Sequence, residues 1–177
     1  MRVSVVDVKK CYDPEGKAED DSLLFVKYVI RPLSFYLSVL FIEFGFTANG
    51  VTWLSMLLGL VGSIFLALGD SFELVGCLLL LVWLILDPVD GNIARYNKTQ
   101  SHYGDFLDTV ACYLVLATFP LGLGIGSYFK EESVTVSFFV LLLGSIASLL
   151  NIFPRLLFQK MKAYNFDDGS YQSNISI

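Results

Sequence analysis

The sequence predicts an all-α integral membrane protein, an N-terminal interfacial amphipathic helix followed by about four transmembrane helices. Three observations carry this prediction. First, 55% of the 177 residues are hydrophobic and the mean hydropathy is +0.64, above what a soluble domain shows. Second, apolar runs recur that are long enough, at about 1.5 Å per residue, to cross a hydrocarbon core about 30 Å thick. Third, Lys and Arg gather at alternate ends of those runs, the pattern of a multi-pass protein. A net charge of -5 argues against nucleic acid as a partner. Cys11, Cys77 and Cys112 are far apart, without metal-ligand spacing, and read as no disulfide framework. The acidic start lacks the basic head and short apolar core of a cleaved signal peptide, so the spans themselves must direct insertion.

Residues 1–21 carry mixed charge, Pro14 and Gly16, and no sustained apolar period; they read as a polar cytoplasmic tail. The membrane domain is expected over 22–160. In 22–46, Lys27, Arg31, Ser34 and Ser38 fall on one helical stripe, which predicts an interfacial helix reaching headgroup phosphates while Phe25, Tyr28, Phe35 and Tyr36 sit at the acyl boundary. A first crossing over 32–46 is the rival reading, but its clean apolar run is short. Thr47-Ala-Asn49-Gly50 supplies cap and breaker chemistry before a span at about 50–68. Gly69-Asp70-Ser71 turns the chain into a span at about 72–95, with a bend expected at Pro88. A polar connection leads to a span at about 104–126, with a second bend expected at Pro120, and a loop over 127–133 leads to a span at about 134–156 ending near Pro154-Arg155. Residues 161–177 read as a polar C-terminal tail. Of the 12 Lys and Arg, only Lys130 falls in a loop opposite the others, so both termini are expected in the cytoplasm.

The second and third spans carry acids where lipid should be. Asp87, Asp90 and Ala94 share one helix face, and Gly104, Asp108 and Cys112 step by four along the next. Each Asp at a helix centre costs about 2.5 to 3.5 kcal/mol on insertion scales, so such a cluster calls for a polar cavity, cations, or both. A divalent metal site is the economical expectation.

The stretch Asp87-Pro-Val-Asp90-Gly91-Asn-Ile-Ala94-Arg95, continued by Gly104 and Asp108, resembles the signature of the CDP-alcohol phosphotransferase (CDP-alcohol phosphatidyltransferase) family, D-x2-D-G-x2-A-R-x8-G-x3-D-x3-D. Every fixed position matches except the last, where Cys112 replaces Asp. The resemblance implies that Asp87, Asp90 and Asp108 hold two Mg²⁺ or Mn²⁺ ions against the diphosphate of a CDP-linked lipid or alcohol. An acceptor alcohol then attacks the distal phosphorus and CMP leaves. It also implies a homodimer, contact with membrane lipids, an active site facing the cytoplasm, and six spans after the interfacial helix. The four found here read as a truncated form of that six-span bundle.

On this reading Gly91, Ala94 and Gly104 let the nucleotide approach the helices, and Arg95 reaches phosphate or pairs with Asp90. Cys112 stands where the family has its general-base Asp; a thiol is a poor ligand for hard Mg²⁺ and removes one negative charge, so activity is expected to be impaired. Asp105 lies about two turns from position 112, too far to replace that acid, and His102 reads as a polar loop residue. Two other functions compete: an inactive relative that binds CDP-alcohol or serves as a partner subunit, and a divalent cation transporter. The Gly91, Ala94, Arg95 and Gly104 context is unneeded for transport.

Overall fold

The computed structural model describes residues 3–12, 23–130 and 133–175, with side chains in the last helix described through residue 157 and at 160 and 161. Arg2, Pro14, Gly16 and Lys17 of the expected tail, Ser22 at the start of the expected interfacial helix, and 131–132 of the expected loop lie outside the described residues. All regular structure in the described residues is helical.

The stretch read as a polar tail contains α1 (Val5–Lys10), opened by Ser4, whose hydroxyl accepts from the Val6 amide at 3.3 Å. Its Val8 is only 1% exposed, so this part of the chain docks on the protein. A π-helical turn (Val26–Ile30) runs directly into α2 (Arg31–Glu43). The serines of the expected polar stripe face inward: Ser34 and Ser38 are fully buried, whereas Leu33, Tyr36 and Leu40 on the other face are exposed. A hydroxyl inside a lipid-facing bundle loses its water and must find a protein partner. Asn92 provides one, donating to Ser38 at 3.1 Å and to Ser34 at 3.4 Å.

Among the described residues, four helical stretches are long and apolar enough to cross a membrane: Ala48–Leu68, Asp70–Asn97, His102–Lys130 and Val134–Leu157. They correspond to α3 (Ala48–Leu68), a 3-10 turn (Asp70–Phe72) leading into α4 (Glu73–Asn97), α5 (His102–Lys130) and the first part of α6 (Val134–Ile175). The chain is an all-α membrane protein. Helix α3 packs against both α4 and α5, α6 packs against α5, and α1 and α2 pack on α4. Close approach rests on glycine. A Cβ on Gly76 would lie 2.8 Å from the Gly62 carbonyl, and one on Gly126 would collide with the Leu66 carbonyl. Leu37, Phe41 and Ile42 of α2 close over a core of Val51, Leu86, Val89 and Ile93.

Pro88 and Pro120 lie inside uninterrupted helices, and α6 continues through Pro154 where an end was expected. In an apolar surround the helix keeps its remaining hydrogen bonds internal, and one missing N–H does not unwind it. The polar connection between the acid-bearing spans is also shorter than expected. Lys98 takes a left-handed conformation (φ 56°), and Lys98 and Thr99 donate back to the Arg95 and Ala94 carbonyls, a Schellman closure made without glycine.

Candidate functional site

Helix α3 starts at one end of the bundle because the Thr47 side chain accepts from the Gly50 amide at 3.2 Å. With Thr47 as the cap, Asn49 and Thr52 fall inside the first turns, three apart and on one face. Helix α5 starts at the same end, where Ser101 Oγ accepts from the Gly104 amide at 3.1 Å. The last turns of α4 reach that end too. Between these helix ends lies a cavity of about 170 Å³ walled by Asn49 and Thr52, by Asp90, Gly91, Ala94 and Arg95, and by Gly104, Asp105 and Asp108, with 99–101 across its mouth.

Because α4 runs toward this end and α5 away from it, their residues pair by depth. Ala94 and Gly104 stand near the mouth, Asp90 and Asp108 below them, and Asp87 and Cys112 about one turn deeper, roughly 4.5 to 6 Å for three to four residues. The electrostatics follow this register. Asp108 acts on both Asp87 and Asp90, and Asp87 acts on Cys112 more strongly than Asp108 does. The cations of Arg155 and Arg31 reach Asp87.

Asp90 is the most enclosed of these acids, at 7% exposure. Thr52 donates to its Oδ2 at 2.5 Å, and the Gly91 amide donates to its Oδ1 at 2.5 Å. Each of those oxygens keeps a second lone pair for a ligand. A Cβ at Gly91 would sit 3.1 Å from the Arg95 guanidinium, and one at Gly104 would sit 3.4 Å from Asn49 Oδ1, so both glycines make room for polar groups at the wall. Arg95 does not fall into a pair with Asp90; its Nη2 donates to Asn92 Oδ1 at 3.2 Å.

Of the residues singled out from sequence, Asp90, Asp108, Gly91, Ala94, Arg95 and Gly104 meet at the cavity, while Asp87 and half-buried Cys112 lie outside its wall. Asp105, set aside as a substitute for position 112, is part of the wall; His102 is exposed and is not. Among the described residues, no three His, Cys, Asp or Glu side chains form a group that could hold a metal ion. The donor chemistry nonetheless suits a hard divalent cation: carboxylates from two helices, with free lone pairs, facing a polar cavity. Asn49 and Thr52 were missed. Their signal was the cap at Thr47, which turns both inward instead of leaving Asn49 to end a loop.

No curated protein matches the chain significantly. The family model described as CDP-alcohol phosphatidyltransferase matches residues 46–165, well over half of the chain and the whole cavity wall, leaving α1 and α2 outside. The chain belongs to the CDP-alcohol phosphatidyltransferase family.

Proposed function

We propose that the cavity binds the nucleotide diphosphate of a CDP-alcohol together with a divalent cation, Mg²⁺ or Mn²⁺, and that the chain transfers the alcohol-bearing phosphoryl group to an acceptor hydroxyl at a reduced rate. One observation carries this reading. Asp90 and Asp108, on different membrane helices, open onto one polar cavity beside Gly91, Ala94, Arg95 and Gly104. Family membership supports a phosphotransferase of phospholipid synthesis.

In the proposed reaction the acceptor oxygen bonds to the distal phosphorus, the bond from that phosphorus to the bridging oxygen breaks, and CMP departs with the bonding electrons. The acceptor proton passes to a base. Asp90 and Asp108, with Asp87 one turn deeper, would hold the cation, which when bound supplies positive charge against the diphosphate and the departing CMP. Thr52 fixes the Asp90 carboxylate, so its free lone pairs point where ligand arrives without a rotamer search. Gly91 and Gly104 keep the walls clear for the nucleotide, and Arg95 offers a guanidinium to phosphate. Asp108 and Asp87 flank position 112, where a thiol stands in place of an acid; proton removal is left to solvent, which makes transfer slow.

The site end carries Lys9, Lys10, Lys27, Arg31, Arg95, Lys98 and Arg155, whereas Lys130 at the far end is bound to Glu73 at 3.0 Å. That asymmetry supports a cytoplasmic cavity. The experiment is release of CMP from a CDP-alcohol in Mn²⁺ with candidate acceptors, by the unaltered chain and by Cys112→Asp. Slow, Mn²⁺-dependent release that rises in Cys112→Asp is expected. Release without Mn²⁺, or equal release by both, contradicts the reading.

A further inference from the structure

The guanidinium of Arg95 is held from behind by contacts that lead to residues outside the family match. Its Nη2 donates to Asn92 Oδ1 at 3.2 Å, and Asn92 is fixed in turn by Ser34 and Ser38 of α2. On another side lies Tyr12, two residues past the end of α1, with its ring centre 5.8 Å from the Arg95 guanidinium carbon. The same ring receives Arg31 at 4.7 Å and meets the Phe35 ring edge-on at 5.6 Å. Tyr12 is itself located by α1, whose Val8 is buried to 1% exposure. An arginine side chain has several rotatable bonds, and beside Asp90 and Asp108 it would be drawn to a carboxylate unless something held it elsewhere. An aromatic face attracts a guanidinium without offering a competing negative charge.

We propose that Tyr12 is a positioning residue for Arg95: residues 5–12 strap across the end of α4 and hold the Arg95 guanidinium toward the cavity, ready for a phosphate of the ligand. The proposal rests on the reading that Arg95 contacts phosphate. It makes the N-terminal segment, which lies before the matched residues 46–165, part of the working site. The hydroxyl of Tyr12 is not required, only its ring.

The test is calorimetric titration of CDP in Mn²⁺ into the full chain in detergent, for the unaltered protein, Tyr12→Leu, Tyr12→Phe, Arg95→Ala and the double variant Tyr12→Leu/Arg95→Ala. Tyr12→Gln serves as a second ring-less variant should Tyr12→Leu not fold. Loss of the ring is expected to weaken CDP binding about 5- to 30-fold, the range of a partly to fully desolvated cation–π contact. Tyr12→Phe should stay within about twofold, since the ring face is kept. The double variant should bind no worse than Arg95→Ala alone. Unchanged binding in both ring-less variants beside a loss in Arg95→Ala overturns the strap and leaves the phosphate reading of Arg95 standing. A further loss in the double variant shows that Tyr12 acts by general support of the fold, which also overturns it. No loss in Arg95→Ala, or no CDP binding by the unaltered chain, removes the phosphate reading and the strap with it.

Discussion

Asp90 illustrates how a membrane helix carries a charge. Its carboxylate is nearly enclosed, yet Thr52 and the Gly91 amide supply two donors, so what remains for a ligand is directed. Cys112 shows the opposite: it sits at the depth of Asp87 and offers no hard oxygen. On the proposed reading, replacing it with Asp adds a ligand and a base one turn below Asp108. A positioned general base contributes about 10² to 10⁴-fold, and water at the same place recovers part of this, so CMP release by Cys112→Asp should exceed that of the unaltered chain by at least about tenfold. An equal rate would place the base elsewhere. That Asp90, Gly91, Gly104 and Asp108 share inward helix faces was legible in the sequence because three- and four-residue spacing on a helix is a local property. Thr52 reaches Asp90 across 38 positions, and Tyr12 reaches Arg95 across many more; no periodicity encodes such contacts.

The spanning helices were legible for the same local reason: long apolar runs have one stable form in lipid. What each face of a helix meets was not. The stripe of Lys27, Arg31, Ser34 and Ser38 looked like a face for headgroups, and its serines turned inward because Asn92 supplied hydrogen bonds in the bundle. The left-handed turn at Lys98 was hidden by the lack of a glycine there. Glycines at helix contacts divide by what a methyl group would strike. At Gly126 it would meet the Leu66 carbonyl, backbone that cannot give way, whereas at Gly104 it would meet the ends of Ser101 and Asn49 side chains at 3.3 and 3.4 Å. Gly126→Ala should therefore destabilise by about 1 to 3 kcal/mol, read as a lower melting temperature in detergent. Gly104→Ala should leave melting nearly unchanged and weaken ligand binding. The reverse pattern would mean that α3 and α5 are not locked through Gly126.

At the scale of the whole molecule, α3 is the shared wall that brings the ends of α4 and α5 together, and charge decides which side of the membrane that end faces. With the cavity in the cytoplasm, a membrane-impermeant maleimide applied to intact cells should miss exposed Cys11 and label Ser71→Cys at the far end. A Cys77→Ala background removes the native thiol one turn from that end. Labelling of Cys11 from outside would invert the topology. On the proposed reading two acids from two helices serve one ligand, and coupling between them is the direct measure of this. Mn²⁺-dependent CDP binding should be titrated for the unaltered chain, Asp90→Asn, Asp108→Asn and the double variant. Each single variant is expected to lose most of the Mn²⁺ dependence, and the double to lose little more than the worse single, because residues sharing one ligand are not additive. Losses that simply add, or Mn²⁺-dependent binding that survives either substitution, would contradict a shared site.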